Sequence, residues 1–236
     1  MSKRIDAKLL EALPNLPLEE QKEILSLLED LEESEKREAA RDSFMGFTKY
    51  VWPAFIEGRH HKIMASAFER VANGELKRLI VNMPPRHTKS EFASYLLPAW
   101  FLGRFPEKKI IQTAHTAELS VGFGRKVRNL VDSDDYKSVF PSLGLRSDSK
   151  AAGRWSTSKN GEYFAIGVGG AVTGKGADLL IIDDPHSEQE GQSADPSVFD
   201  RVYDWYTSGP RQRLQPGGAI IVVMTRWHKR DLTGQI

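Results

Sequence analysis

Leu79-Ile-Val-Asn-Met-Pro-Pro-Arg-His-Thr-Lys-Ser-Glu91 is a short apolar run that breaks into a tight loop ending in Lys89-Ser90. Further along, Leu179-Leu-Ile-Ile-Asp-Asp-Pro185 is an apolar run that ends in paired carboxylates. Residues 79–81 read as a buried strand, Pro84-Pro85 force a turn, and residues 90–101 read as a helix. A loop between a strand and a helix N-terminus gathers backbone N–H groups and the helix dipole on an anion. A lysine and a hydroxyl in that loop, with an acidic pair at another strand end, divide the work as nucleotide hydrolysis requires.

The strict phosphate-loop pattern G-x-x-x-x-G-K-[ST] is not met. Met83 and Thr88 stand at the two glycine positions, and only Lys89-Ser90 is kept. On this reading Lys89 reaches the β- and γ-phosphates of ATP and the Ser90 hydroxyl binds Mg²⁺. Pro85, Arg86, His87, Thr88 and Glu91 complete the nucleotide-binding segment. A surface turn with a solvated lysine has the same residues, and the acid pair is what separates the two readings. Four branched aliphatics at 179–182 suit a strand buried on both faces of a parallel sheet. Carboxylates at the C-terminal end of such a strand sit where open α/β sheets bind ligands. Asp183 is the expected Mg²⁺ ligand and Asp184 the group that polarises the attacking water, with Glu188 a weaker alternative base. Asp-Pro is also good turn chemistry, but two adjacent like charges are unfavourable without a cation beside them.

With 236 residues, 40% of them apolar and 28% charged, the chain is long enough for one large α/β domain or two small ones. It has no cysteine, which excludes disulfides, thiolate chemistry and zinc-thiolate sites. No apolar run approaches the length of a membrane span and the N-terminus is charged, so a soluble protein is expected. The net charge of +1 conceals an asymmetry: residues 1–42 carry 12 acidic and 7 basic side chains, the remainder 20 acidic and 26 basic. A mildly basic body is compatible with a polyanionic partner.

Residues 1–42 read as a charged helical arm from Pro17, with Ile24, Leu28 and Leu31 on one stripe. Packing of that stripe and simple solvation fit equally. The aromatics Phe44, Phe47, Tyr50, Trp52 and Phe55 suit a core, with stacking on adenine the other option. A helix with Ile63, Ala67 and Val71 on one face precedes the loop. Beyond it come a strand at 109–114, a helix with Leu119, Phe123, Val127 and Leu130 on one face, and a hairpin signal at 155–168 around Asn160-Gly161. Gly167-Val-Gly-Gly-Ala-Val-Thr-Gly-Lys-Gly176 reads either as a close backbone approach to a partner or as a long connection. A helix at 197–208 and a buried strand at 219–224 lead to Thr225-Arg226-Trp227-His228. Strands alternating with helices imply a mostly parallel sheet flanked by helices.

Pro84-Pro-Arg-His-Thr-Lys-Ser-Glu91, the glycine-dense segment 167–177, Ile181-Ile-Asp-Asp-Pro-His186, Met224-Thr-Arg-Trp-His228 and Asp231-Leu232 together resemble the large terminase subunit of tailed bacteriophages. The resemblance runs in order from about residue 44 to residue 236. It implies a P-loop ATPase domain of the RecA-like, additional-strand type over residues 43–236, driving double-stranded viral DNA into a procapsid. It carries the loop lysine and serine onto Lys89 and Ser90, and the acidic pair onto Asp183 and Asp184. The coupling motif that senses the γ-phosphate falls on Thr225 and Arg226. Relatives usually have glycine at Thr88 and often glutamate at Asp184. Such motors place an arginine at the γ-phosphate, for which Arg86 is the in-loop candidate and Arg125 and Arg128 are candidates acting on a neighbouring subunit. The resemblance also implies a homo-oligomeric ring, contacts with the portal and the small terminase subunit, and residence in the host cytoplasm. The RNase H-like nuclease of the family is expected to be absent from this chain, and no DNA cleavage is expected. Other readings are a helicase-type translocase, a nuclease using Asp183, Asp184 and His186, and an assembly module that binds nucleotide without turnover.

Overall fold

The computed structural model describes residues 13–193 and 195–236; the first twelve residues of the expected arm lie outside them. The 25-residue helix α1 (Leu18–Asp42) is followed by α2 (Phe44–Val51) and α3 (Arg59–Ala72). The alternating core then begins with β1 (Arg78–Asn82), the loop, a π-helical turn Glu91–Leu96 and α4 (Leu97–Arg104). Next come β2 (Lys109–Ala114), α5 (Ala117–Val131), α6 (Asp134–Val139), β3 (Leu145–Ala151), β4 (Arg154–Thr157) and β5 (Glu162–Gly167). The described chain closes with β6 (Ala177–Asp183), α7 (Glu188–Gly191), α8 (Ser197–Ser208), β7 (Leu214–Met224) and α9 (Leu232–Gln235). No helix among the described residues is long and apolar enough to cross a membrane.

The strands form one seven-stranded sheet in the order β1-β7-β6-β2-β5-β4-β3. From β1 to β5 all neighbours are parallel, whereas β4 and β3 join as an antiparallel flap. The hairpin turn between β4 and β5 uses Asn160 at a φ of 67°, as the Asn-Gly pair leads one to expect. Because β7 lies between β1 and β6, the loop strand and the acid strand are not neighbours. Register nonetheless aligns their ends: Asn82 pairs with Met224, Val223 with Asp183, and Asp183 with Ala114.

Both faces of the inner parallel strands are covered and strand alternation divides the core, whereas β1, expected to be buried, is an edge strand that leaves Ile80 41% exposed. Leu179, Ile181, Ile221 and Val223 face the layer of α2 to α6, while Leu180, Ile182, Ile220 and Val222 face Val202 and Tyr206 of α8. That is why β6 reads as an unbroken aliphatic run. Phe44 and Phe47 are fully buried, and Phe44 meets Phe68, Phe92 and Trp100 edge-on at 5.4–5.6 Å, so these two rings are core. The C-terminal half of α1 is tied to this layer through Tyr50 Oη, which donates to Glu33 Oε1 at 2.6 Å, and Trp100 Nε1, which donates to the Ala40 carbonyl at 3.2 Å. Towards its start, Leu18 and Leu27 are exposed, and of the expected stripe Ile24 and Leu28 are half-buried while Leu31 is 37% exposed.

Two helix faces differ from expectation. In α3 the buried stripe is His61, Met64, Ala65, Phe68 and Val71, and Ile63 points outward at 62% exposure. In α5 the inner face is Ser120, Gly124, Val127, Leu130 and Val131, and Leu119 is 54% exposed. The inner face of α5 includes the small residues Ser120 and Gly124, and that of α3 includes the polar His61, which hydrophobicity alone does not mark. Gly124 permits the closest approach, since a Cβ there would lie 2.5 Å from the Ala152 carbonyl oxygen and 3.0 Å from the Tyr163 ring. Gly124→Ala is therefore expected to lose about 1–3 kcal/mol in urea denaturation. Gly122→Ala on the same helix meets nothing within 4 Å and should be neutral or slightly stabilising.

Candidate functional site

At the C-terminal edge of the sheet, three strand ends supply one polar cluster. The loop after β1 turns through two residues in the left-handed region, Arg86 (φ 62°) and Thr88 (φ 59°). It delivers Lys89, 6% exposed, to the start of the following helical segment. Lys89 Nζ lies 2.8 Å from Asp184 Oδ2, so loop and acid pair meet across the intervening strand. Asp184 (φ 39°) is itself a joint: its N–H donates to the Val223 carbonyl at 2.8 Å, and its Oδ1 accepts from the Thr225 N–H at 2.8 Å. Thr225 Oγ1 in turn donates to the Met83 carbonyl at 3.2 Å. The loop, the acid pair and the segment after β7 are thus bonded pairwise.

Asp183 is 2% exposed and sits behind this joint. Ser90 Oγ donates to its Oδ1 at 2.9 Å and Ser94 Oγ to its Oδ2 at 2.6 Å, the two serines lying one helical turn apart. Gln112 Nε2 of β2 donates to Ser94 Oγ at 2.9 Å and orients it. Burial pushes the Asp183 carboxyl up to about 7, reinforced by the neighbouring Asp184 charge and opposed by Ser94, Ser90 and Lys89. A carboxylate so placed favours a cation beside it.

The other expected site residues are distributed more widely. Pro85, Arg86 and His87 are exposed on the loop, with His87 Nδ1 2.9 Å from the Pro85 carbonyl oxygen. Glu91 turns towards α5, where Lys126 Nζ bonds its Oε1 at 2.8 Å. Arg125 is exposed on α5, and the Arg128 guanidinium donates to Asn129 Oδ1 on the same helix. The network around Asp183 contains neither arginine. Glu188 is exposed in the first turn of α7. His186 is 3% exposed, with Nε2 accepting from the Leu232 N–H at 2.9 Å and its ring against Phe199, which commits it to packing. Among the described residues no group of three or more His, Cys, Asp or Glu could hold a metal ion.

Several residues of the cluster have no role assigned to them in the sequence reading. Ser94 and Gln112 shape the environment of Asp183, and His61 Nε2 contacts Thr88 Oγ1 at 2.5 Å. Asp231, fully buried, organises the segment after β7: it accepts from Arg226 Nε at 2.9 Å and from the N–H groups of Trp227, His228 and Gly234. Burial acts to raise the Asp231 pKa, but these donors outweigh it and hold the carboxyl below the usual carboxylate range. The available signal was a polar residue inside an apolar helix or strand, as at Gln112 within Ile110-Ile-Gln-Thr-Ala114.

No family model and no curated protein matches the chain. Among solved structures it is similar to the large terminase of bacteriophage HK97, with a TM-score of 0.49 and 17% sequence identity. The match covers 76% of this chain and 35% of that one, so the chain spans about a third of the length of that protein.

Proposed function

We propose that this chain binds ATP with Mg²⁺ at the C-terminal edge of its sheet and hydrolyses it, as the ATPase of a motor that moves double-stranded viral DNA into a procapsid. One observation carries the enzymatic part: Lys89 and Ser90 of the loop bond directly to Asp184 and Asp183, although Ser90 and Asp183 lie 93 residues apart. A lysine and serine at a strand–helix junction, opposite an acid pair and one strand removed, form the constellation that phosphoryl transfer uses. The donor set suits Mg²⁺ in particular. It offers one buried carboxylate and one hydroxyl rather than a protein cage, and Mg²⁺ keeps waters and substrate phosphates as its remaining ligands.

When bound, Mg²⁺ would neutralise charge on the β- and γ-phosphate oxygens. Asp183 and Ser90 would hold it. Lys89 exchanges its Asp184 partner for phosphate oxygens, which leaves the Asp184 carboxylate to orient the attacking water. Thr225, bonded to both Asp184 and the loop, is placed to transmit that exchange to the segment held by Asp231. The arginine at the γ-phosphate comes from Arg86 in the loop or from Arg125 or Arg128 of a neighbouring copy. The DNA-packaging part rests on the ordered set of motifs from Pro84 to Leu232. A ring of copies, the portal and the small terminase subunit are the partners this reading entails.

The test is ATP turnover followed against protein concentration, with and without Mg²⁺ and double-stranded DNA. Turnover lost on chelation, rising per subunit as copies associate, and stimulated by DNA is the expected result. Absence of both ATP binding and turnover at every concentration overturns the reading. Binding without turnover would point to an assembly module instead.

A further inference from the structure

Thr88 stands where phosphate loops ordinarily carry glycine, yet its φ of 59° is the left-handed conformation that glycine adopts freely and β-branched residues avoid. The loop therefore has glycine's shape without glycine. A directed chain of hydrogen bonds runs through this position. The Gly58 N–H donates to His61 Nδ1 at 2.8 Å, so Nδ1 is the unprotonated ring nitrogen and the neutral imidazole carries its proton on Nε2. Nε2 faces Thr88 Oγ1 at 2.5 Å, and the Thr88 hydroxyl donates to the His87 carbonyl at 2.6 Å. Each donor in this chain has one acceptor.

The ring cannot readily turn away. It is 6% exposed, stacks on Phe92 at 4.9 Å between ring centres, and meets Phe55 edge-on at 4.7 Å. Burial, with His60 beside it, lowers the His61 pKa and favours the neutral form that the chain requires. Phe92 belongs to the helical turn that follows Lys89, so one imidazole braces the loop on both sides.

We propose that His61 is a positioning residue that replaces the missing glycine: from α3 it clamps Thr88 in the left-handed conformation and so keeps Lys89 aimed at the acid pair. The proposal rests on the nucleotide reading of the loop. It makes α3 part of the nucleotide site even though no residue of α3 touches the acid pair. It also predicts an asymmetry that a packing role does not share, because the clamp matters only while residue 88 has a side chain.

The experiment is a double-mutant cycle of the full chain, the parent against H61F, T88G and H61F/T88G. Phenylalanine keeps the ring stack and lacks the Nε2 donor, and loss of the Gly58 partner is common to both backgrounds. H61F is expected to weaken Mg²⁺-dependent ATP binding about tenfold, or about 1.4 kcal/mol, when Thr88 is present. In the T88G background its effect should fall below about twofold. Amide hydrogen exchange over residues 86–90 of the nucleotide-free protein supplies a second readout. Exchange should quicken in H61F relative to the parent and be the same in T88G and H61F/T88G. Equal effects of H61F in both backgrounds, or unchanged loop exchange, would reduce His61 to a core residue. If neither the parent nor T88G binds ATP, the nucleotide reading fails, and the exchange comparison decides the role of His61 by itself.

Discussion

Lys89→Ala is expected to reduce Mg²⁺-dependent ATP turnover by at least about a hundredfold, the usual loss when one preorganised charge stabiliser is removed. The Lys89 side chain is 7% exposed and lies 2.8 Å from Asp184, so its charge is held in a water-poor position by the group it must leave. A cation in such surroundings acts on a developing phosphoryl charge more strongly than the same group in water. Alanine removes that charge and leaves Asp184 with the Thr225 N–H as its fixed partner. The half-exposed Asp184 can take up water, so the fold should survive, and a thermal melt provides the control. Lys89→Arg should not restore activity, because a planar guanidinium does not fit a pocket shaped around one ammonium. Parental turnover in the alanine variant would detach the loop from the chemistry altogether.

The parts of this protein that were legible in the sequence share a physical origin. Residues 109–114 and 197–208 have the ends expected of them, and 79–81 and 219–224 lie within β1 and β7, because periodicity and punctuation are local properties. The meeting of Lys89 with Asp184 was legible for a related reason: polar residues at the C-terminal ends of parallel strands have one common destination. What sequence reasoning missed depends on the third dimension. The face of α3 was expected on Ile63, Ala67 and Val71, and the polar His61 nevertheless occupies its buried stripe. Ser120 and Gly124 define the inner face of α5 through their smallness. Ser94 and Gln112 acquire a purpose only when β2 is set beside β6, which places both behind Asp183. The segment Glu91–Leu96 of the loop helix is π-helical, a local widening with no sequence mark; it starts just after Ser90 and contains Ser94, the two serines that grip that carboxylate.

Asp183→Asn should abolish turnover and, at pH 8, raise the melting temperature of the nucleotide-free protein. The sign follows from linkage. An Asp183 carboxyl raised to about 7 in the fold, against 3.8 unperturbed, stabilises the folded chain fully only below the lower value. That contribution is lost as pH rises towards 7, because the unfolded chain releases its proton first and the folded chain must then carry a buried charge. Above pH 7 the accumulated cost is roughly 2–4 kcal/mol, since each pKa unit corresponds to about 1.36 kcal/mol. Asparagine has the same shape, does not ionise, and can still pair with Ser90 and Ser94 by reorienting their hydroxyls. Parent and variant should therefore melt together near pH 4, diverge up to about pH 7 and hold that gap to pH 8, the variant being the more stable. Saturating Mg²⁺ with a non-hydrolysable ATP analogue should narrow or invert the gap, because ligand binding stabilises only the chain that retains the carboxylate. Identical pH profiles for the two proteins would show that Asp183 carries no such burden. A variant stabilised at pH 8 yet turning over ATP normally would separate the burial of this carboxylate from any catalytic purpose. The expected pair of results, a fold relieved and an activity lost by the same one-atom change, is what a carboxylate kept buried to receive a cation requires.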